Sequence, residues 1–116
     1  MIHGVGVDLV HLPRFDRFTR DHARRLSDLF SPAERAAFRS RRALAGAWAM
    51  KEATLKAIGG LSGWDVNWRE IGIRPGAVRL TGAVARHAKS LGVSRLFVST
   101  ATMKDAIVAT VVATGP

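Results

Sequence analysis

The sequence contains no cysteine and no run of hydrophobic residues long enough to cross a bilayer. Without cysteine the chain forms no disulfide, no thiolate nucleophile and no zinc–cysteine site, which fits a reducing compartment without requiring one. The longest apolar stretches, such as 107–113, are far shorter than the roughly 20 residues of a membrane helix. No basic segment followed by an apolar segment stands at the N-terminus, so we expect neither a membrane nor a secreted protein and place the chain in the cytoplasm.

Tyrosine is also absent, and acidic residues are scarce relative to basic ones. Against 9 Asp and Glu the chain has 18 Lys and Arg, which gives a formal net charge of +9. Such a charge attracts anionic partners, and nucleic acid, an acidic protein and a phosphate-rich cofactor all fit this description. Because the chain has no zinc-finger spacing and no basic patch interleaved with aromatic residues, we expect no nucleic acid among its partners.

With 116 residues, 47% of them hydrophobic, the chain suits one domain over residues 1–116. A first strand is predicted over residues 2–10, where apolar residues alternate with two glycines and Asp8. This alternation predicts that Val5, Val7 and Leu9 pack on the core and that Asp8 faces away from it.

Helix signals follow the strand. Pro13 should open a short helix, and Ser31-Pro-Ala-Glu34 is a capping box that should begin a second one ending at about Arg39. Residues 42–58 are rich in helix-forming residues and end at Gly59-Gly60, which predicts the longest helix, with one buried stripe. The apolar members of that stripe are Leu44, Ala45, Trp48, Ala49 and Leu55, and Glu52 and Lys56 lie one turn apart beside it.

The second half of the chain predicts a hairpin, a helix and two more strands. Segments 68–73 and 77–80 should pair around Pro75-Gly76, and Thr81 should cap a helix that runs to Ser90. Segments 95–100 and 106–114 read as strands. The fold class is therefore α+β, a small antiparallel sheet packed against a long central helix and shorter helices. Trp48 and Trp68 are expected in the core or at a subunit interface, and Trp64 under a loop.

Asp8, on a strand, and Glu52 and Lys56, one turn apart on the longest helix, are the candidate chemical groups. Two carboxylates from separate elements can share Mg²⁺, which usually completes its shell with waters and phosphate oxygens. A lysine beside them can hold a phosphate or move a proton. The residues alone leave a second interpretation open, in which Asp8 caps the helix after Pro13 and Glu52 and Lys56 form a surface ion pair.

Several motifs stand in order along the chain. They are Gly4-Val-Gly-Val-Asp8 with Arg14-Phe15, then Phe30-Ser-Pro-Ala-Glu34, then Leu44-Ala-Gly-Ala-Trp-Ala-Met-Lys-Glu-Ala53 with Lys56-Ala-Ile-Gly59. This order resembles holo-acyl carrier protein synthase, the small 4′-phosphopantetheinyl transferase family. The similarity extends over essentially the whole chain, and the first and third blocks are the specific ones.

The resemblance implies both a fold and a reaction. The fold is that of the 4′-phosphopantetheinyl transferases, and the reaction transfers the phosphopantetheine arm of coenzyme A to a serine of an acyl carrier protein. The reaction depends on Mg²⁺, releases 3′,5′-ADP, serves fatty acid or polyketide biosynthesis and takes place at the subunit interfaces of a homotrimer. An acidic carrier protein would be the anionic partner that the charge of the chain attracts.

The resemblance also assigns site residues. Asp8 and Glu52 match the magnesium ligands, and Lys56 matches a lysine that contacts the diphosphate or assists proton removal; these three form the expected catalytic set. The residues expected to contact coenzyme A are Lys51, Lys56, Ser99 and Thr100. Arg14 matches a basic residue near the carrier-protein interface, which is expected to comprise Arg14, Arg17, Arg20, Arg24 and Arg25.

Two positions depart from the family pattern. Thr100 stands where the family has a histidine and Ala47 where it has an arginine. Each change therefore removes a side chain that could donate hydrogen bonds to a phosphate group. The cations left to compensate are Arg42, Lys51, His87 and Lys104. The departures leave an alternative function open, a catalytically impaired or repurposed relative that binds carrier protein or coenzyme A without transferring the arm.

Overall fold

Helices and short antiparallel strands make up the protein, as the α+β prediction requires. The computed structural model describes residues 1–60 and 66–116, so Trp64 lies outside the described residues. The elements, in chain order, are β1 (Ile2–His11), α1 (Leu12–Asp21), α2 (Leu26–Leu29), α3 (Pro32–Ala37), α4 (Arg41–Ala57), β2 (Ile71–Arg74), β3 (Ala77–Leu80), α5 (Gly82–Ser90), β4 (Arg95–Thr102) and β5 (Ala106–Thr114). Single 3₁₀ turns cover Ala23–Arg25 and Trp68–Glu70.

Two of the helix signals read from the sequence, the capping box and the paired glycines, act where they were expected, whereas Thr81 occupies the N-cap of α5 without a side-chain cap hydrogen bond. The capping box at α3 is complete: the Glu34 amide donates to the Ser31 hydroxyl at 3.1 Å, and the Ser31 amide donates to Glu34 Oε1 at 2.8 Å. Helix α3 is shorter than predicted, because Ala37 is its last residue. Helix α4 ends before Gly59 and Gly60, whose positive φ angles of 80° and 73° cannot continue a right-handed helix.

Two antiparallel sheets form, a three-stranded one in the order β1-β5-β4 and the hairpin β2-β3. In the larger sheet, Asp8 pairs with Ala109, and Ala109 pairs in turn with Thr100. The hairpin is confirmed, but the strand predicted from residue 68 begins only at Ile71, because the preceding three residues form a 3₁₀ turn.

The predicted orientation of β1 is wrong. Its buried positions are Gly6, Asp8 and Val10, so the carboxylate faces helix α4, while Val5, Val7 and Leu9 face outward. The physical reason is close backbone packing, since a Cβ on Gly4 or Gly6 would overlap the carbonyl oxygens of α4. Alternation along a strand has the same period of two on both faces, so it does not say which face is buried. Helix α4 packs on the face of the glycines because they have no side chains there, and Val5 and Val7 lie on the opposite face.

The outer face of the three-stranded sheet, in contrast, carries exposed apolar side chains. On β1 the exposed fractions are 55% for Val5, 52% for Val7 and 56% for Leu9, and on β4 Phe97 is 50% exposed. Patches of this kind on one face of a sheet usually mark an interaction surface. We call these four residues the outer apolar face.

The core lies between the sheet, helix α4 and the hairpin, where Phe30, Ile71 and Val111 are fully buried. Trp48 is half-buried, and its ring centroid lies 4.6 Å from that of Trp68 and 6.2 Å from that of Phe30. Within residues 1–60 and 66–116, no helix combines the length and the apolar character needed to span a bilayer.

Candidate active site

Asp8 and Lys56 form the first contact of the candidate site. The Lys56 Nζ donates to Asp8 Oδ1 at 2.9 Å and to the backbone oxygen of Val7 at 3.1 Å. The Asp8 side chain is 9% exposed and that of Lys56 is 55% exposed. The carboxylate is therefore nearly buried, while the lysine side chain reaches solvent. The structure thus brings the strand carboxylate and the α4 lysine into direct contact, a pairing that the sequence did not predict.

Glu52 lies one helical turn before Lys56, and its carboxyl group lies close enough to Asp8 for the two to interact electrostatically. Burial, the largest cause, acts together with the neighbouring Asp8 carboxylate to raise the pKa of Glu52 to about 7, while the charge of Lys56 opposes the shift. The two carboxyl groups therefore lie close enough to repel when both are ionised. With its pKa at about 7, the Glu52 carboxyl group is only partly ionised at neutral pH.

The pKa of Lys56 is also raised, chiefly by the hydrogen bond that its ammonium group donates to Asp8; burial opposes this effect, and the charges of Asp8 and Glu52 add to it. Lys56 is therefore protonated at neutral pH. This protonation suits a phosphate-binding cation and does not suit a general base.

The donor set of Asp8 and Glu52 fits a hard divalent cation. Both side chains offer carboxylate oxygens, the ligands that Mg²⁺ prefers, and their mutual repulsion is the kind that a cation removes. The described residues contain no group of three or more His, Cys, Asp or Glu side chains arranged to hold a metal. Such a two-carboxylate set matches Mg²⁺, which takes its remaining ligands from water and phosphate.

A cleft of about 550 Å³ opens beside Glu52. Helix α1 contributes Arg14, Phe15 and Phe18 to its wall, and α4 contributes Trp48. The alternative in which Asp8 caps α1 does not occur, since no side chain caps that helix. Glu52 therefore sits at the edge of an apolar cleft with a basic residue at its rim.

Lys51 does not lie where the sequence suggested. Its side chain is fully buried, and its Nζ donates to Glu34 Oε1 at 3.0 Å and to the backbone oxygen of Trp68 at 2.7 Å. Burial lowers the pKa of Lys51, and the hydrogen bond to Glu34 opposes this effect. With its ammonium group enclosed in the core, Lys51 holds α4 against α3 and the 3₁₀ turn, and we correct its expected coenzyme A contact to this structural role.

Glu34 is the residue that sequence reasoning missed. Its second oxygen accepts from the Ile73 amide at 2.7 Å, so one carboxylate caps α3, pairs with Lys51 and anchors β2. The capping-box motif identified only the first of these contacts. No local sequence signal links residue 34 to residues 51 and 73, because the three meet only in the folded chain.

Ser99 and Thr100 lie apart from Asp8, Glu52 and Lys56, which we call the acidic cluster. Thr100 shares a row of the sheet with Asp8 through Ala109, but it lines a different cleft together with Gly46 and Met50 of α4. Ser99 pairs with Thr110 and so points to the outer apolar face with Val7. Within one chain, helix α4 therefore separates Thr100 from Glu52 and Lys56.

The remaining predicted positions differ in exposure. Ala47 is fully buried, so its methyl group contributes to the core. The predicted interface arginines are all exposed and lie on α1 or on the 3₁₀ turn after it: Arg14, Arg17, Arg20, Arg24 and Arg25. Of these, Arg14 lines the cleft beside Glu52.

The chain is similar in sequence to proteins of a known family. Residues 4–111 match the family model described as the 4′-phosphopantetheinyl transferase superfamily. A holo-[acyl-carrier-protein] synthase of Desulforudis audaxviator is 42% identical over 125 residues, a region that covers 100% of this chain and 95% of that protein.

Solved structures show the same fold. The holo-[acyl-carrier-protein] synthase of Neisseria meningitidis matches with a TM-score of 0.85 and 30% identity, over 98% of this chain and 99% of that one. A complex of the Chronobacterium ammoniagenes synthase with coenzyme A matches with a TM-score of 0.82 and 30% identity, over 97% of each chain. On these matches, this chain belongs to the 4′-phosphopantetheinyl transferase superfamily and, within it, to the holo-acyl carrier protein synthase family.

Proposed function

We propose that this protein transfers the 4′-phosphopantetheine group of coenzyme A to a serine of an acidic acyl carrier protein and releases 3′,5′-ADP. The observation that carries the proposal is the cluster of Asp8, Glu52 and Lys56 at the edge of an apolar cleft, in a chain of this family. The relatives named as holo-acyl carrier protein synthases and the neighbour bound to coenzyme A support the same substrates.

The reaction forms one P–O bond and breaks another. The serine oxygen attacks the phosphorus that bears the pantetheine arm, and the bond from that phosphorus to the bridging oxygen breaks with its electron pair remaining on 3′,5′-ADP. The ammonium group of Lys56 stabilises the negative charge that develops on the phosphate oxygens, and Asp8 holds this ammonium group in place. The serine proton passes to a water ordered by Glu52.

Asp8 and Glu52 would hold the magnesium ion that the family requires, and when bound this ion would neutralise charge on the diphosphate. Both carboxyl groups would hold the ion in their ionised form, so Glu52, whose pKa is raised to about 7, would have to be deprotonated there. Lys56 would supply a second positive charge, on the solvent-exposed side of Asp8 and Glu52.

The carrier protein docks on α1. The five exposed arginines of this region attract an acidic helix, and the cleft lined by Phe15 and Phe18 accepts an apolar side chain from it. Because Arg14 and Glu52 line the same cleft, a carrier protein bound there brings its serine towards the acidic cluster.

The active protein is a homotrimer in the cytoplasm. The outer apolar face of one copy supplies a surface that a second copy of this chain covers, which removes Val5, Val7 and Leu9 from water. Within one copy Thr100 is separated from Asp8. In the assembled protein, a neighbouring copy can place its Thr100 beside the acidic cluster.

A binding-only function is the second candidate. It is favoured by one observation, the neutral hydroxyl of Thr100 at a position where the family pattern has a histidine. A protein of this kind would retain the trimer and the carrier-protein surface without transferring the arm.

Intact-protein mass spectrometry separates the two functions. An apo-acyl carrier protein is incubated with the protein, coenzyme A and Mg²⁺, and the Asp8→Ala and Glu52→Ala variants serve as controls. A phosphopantetheine-sized mass gain that disappears in both variants supports the transferase. No gain, with carrier protein or coenzyme A still bound, supports the binding-only function.

A further inference from the structure

A cleft of about 300 Å³ runs along the outer face of the β2–β3 hairpin. Three arginines line it, Arg69 from the 3₁₀ turn, Arg74 from β2 and Arg79 from β3. Helix α3 and its N-cap residue Ser31 form the opposite wall. Among the described residues, this cleft shares no lining residue with the cleft beside Glu52 or with that of Thr100, so it is separate from the candidate active site. We call it the hairpin cleft.

Arg74 and Arg79 lie close together in the hairpin cleft without a counter-ion. Arg79 pairs with Gly72 and Arg74 with Ala77, so the two arginines are diagonal neighbours on one face, roughly 7–8 Å apart at the backbone. Within residues 1–60 and 66–116, no carboxylate oxygen lies within 4 Å of either guanidinium group. The repulsion between the two arginines is therefore uncompensated in this part of the chain, and a bound anion would remove it.

Glu34 also lines the hairpin cleft, but its carboxylate is committed to other partners. Oε1 accepts from the Lys51 ammonium group at 3.0 Å and Oε2 from the Ile73 amide at 2.7 Å, and the side chain is only 4% exposed. Because Glu34 and Lys51 neutralise each other, the hairpin cleft retains the positive charge of its arginines.

Two hydroxyl groups in the hairpin cleft are able to donate hydrogen bonds to a ligand. The Ser31 hydroxyl accepts from the Glu34 amide, which leaves its own proton to donate. Thr81 stands at the N-cap of α5 but makes no cap hydrogen bond, because the Ala83 amide donates instead to Glu70 Oε2 at 3.2 Å. Guanidinium groups combined with short hydroxyl donors are typical of phosphate-binding sites.

Gly72 leaves the floor of the hairpin cleft open. Its φ angle is not positive, its strand pairs with β3 in regular register, and a Cβ on it would meet the Arg79 carbonyl oxygen at 3.4 Å, an ordinary contact. Neither backbone geometry nor packing therefore requires glycine at this position. Glycine inside a strand, where these causes do not apply, is typical of a place where a ligand approaches the backbone.

We propose that Arg74 and Arg79 bind the phosphate group of a small molecule over Gly72. The hydroxyls of Ser31 and Thr81 complete this site. The volume of the hairpin cleft lies at the lower end of the range of ligand pockets, which suits a mono- or diphosphate rather than an extended cofactor. The ligand is either an inorganic phosphate or a phosphate ester of an organic metabolite, which share the same chemistry. The inference goes beyond the proposed transfer reaction and does not depend on it.

The test titrates the full chain with pyrophosphate in a calorimeter at about 0.15 M salt, which screens non-specific attraction to a basic surface. A chelator keeps metal ions from joining the probe to Asp8 and Glu52. Arg79→Ala should raise the dissociation constant roughly 10-fold, the loss of one charge-assisted contact. The double variant Arg74→Ala with Arg79→Ala should show no saturable binding. Arg86→Ala, which removes an exposed arginine of α5 outside the hairpin cleft, should match the wild type.

Gly72→Thr tests the shape of the hairpin cleft without changing its charge. A β-branched side chain suits a strand, so the unfolding temperature should not fall, while the added atoms should weaken pyrophosphate binding as strongly as Arg79→Ala does. AMP, titrated in parallel, distinguishes the two sources of phosphate. Tighter binding of AMP than of pyrophosphate indicates a phosphate ester, and weaker binding indicates an inorganic phosphate.

Amide shifts in ¹⁵N–¹H spectra locate the bound probe. Shifts centred on Gly72 and Thr81 support the site. No saturable binding by the wild type, shifts confined to β1 and α4, or unchanged affinity in the double arginine variant would overturn the inference. Displacement of pyrophosphate from Gly72 by coenzyme A would also overturn it, because the arginines would then belong to the substrate site. Thermal unfolding of each variant identifies any loss that comes from misfolding.

Discussion

Lys51 and Glu34 form an ion pair in the interior, 3.0 Å apart, with side-chain exposures of 0% and 4%. The pair joins α3 to α4, and through the Ile73 amide it also joins them to β2. A buried ion pair of this kind adds little to the free energy of unfolding compared with apolar residues of similar size in its place. Removal of one partner, however, leaves the other charge unpaired in the core and lowers stability.

We therefore expect Glu34→Gln to lower the free energy of unfolding by about 3 kcal/mol, since the Lys51 charge stays buried without its partner. Urea denaturation at a fixed protein concentration measures the change, because oligomerisation makes stability depend on concentration. The double variant Glu34→Gln with Lys51→Met should recover part of the loss. Asp28→Asn, which removes an exposed carboxylate, is the control and should leave stability unchanged.

Substitution of glycine by alanine should lower the stability of the protein at Gly6 of β1 and raise it at Gly46 of α4. Gly6→Ala places a Cβ against the backbone of α4 and should cost about 3 kcal/mol, the upper end of typical overpacking. Gly46→Ala meets Ile107 Cδ1 at 3.8 Å, an ordinary contact, and should stabilise α4 by about 1 kcal/mol. Equal effects at the two positions in thermal unfolding would contradict the close packing of β1 on α4.

Glu52 makes the stability of the metal-free protein depend on pH. Its pKa is raised from 4.5 to about 7, so the folded state binds more protons than the unfolded state between these values. Stability that is fully present below about pH 4.5 is then lost as pH rises through 7.

The test compares wild type with Glu52→Gln in the presence of a chelator, by thermal unfolding from pH 4.5 to 8. The stability of wild type relative to the variant should fall across this range, because the variant cannot ionise at residue 52. Adding Mg²⁺ at pH 8 should raise the unfolding temperature of wild type more than that of the variant. A difference that stays constant with pH would refute the shifted pKa.

Lys56→Ala should reduce kcat by roughly 100-fold or more, because a cation beside the reacting phosphate acts mainly in the transition state. Its unfolding temperature should change little, since more than half of the side chain is exposed and surface ion pairs contribute weakly. Lys89→Ala removes an exposed lysine on α5 and controls for net charge. A stability loss with unchanged kcat would assign Lys56 a structural role instead.

The outer apolar face should control assembly. Val7→Asp places a charge in the middle of this face and should convert the proposed trimer to a monomer, as read by size-exclusion chromatography with light scattering. Leu91→Asp changes an apolar residue of similar exposure, 43%, outside the sheet and should leave the trimer intact. If Val7→Asp remains trimeric, the interface lies elsewhere.

The sequence predicts the elements of this fold better than the directions in which their side chains point. Caps and glycines define the helices locally, and the hairpin follows from Pro75-Gly76. The face of β1 was assigned wrongly because alternation alone does not say which face is buried, and two glycines in contact with α4 reverse the expectation drawn from the valines.

The candidate site shows the same limit. Asp8, Glu52 and Lys56 were identified from motif order, and the structure brings them together. The enclosure of Lys51 depends on α3 and on the turn before β2, which lie 17 residues away on either side of it. The position of Thr100 across α4 from Asp8 depends on strand order, which no local pattern encodes.

The seating of α4 on the two β1 glycines also fixes the dimensions of the acidic cluster. The glycines place backbone against backbone, and Asp8 is the next inward position along the same strand. The separation of Asp8 from the α4 residues is therefore set by main-chain atoms in contact, with no intervening side chain whose rotamer can change it. Substitutions elsewhere in the core should alter stability well before they alter the spacing of the carboxylates, so the chain can diverge widely in sequence while the geometry needed for one cation is retained.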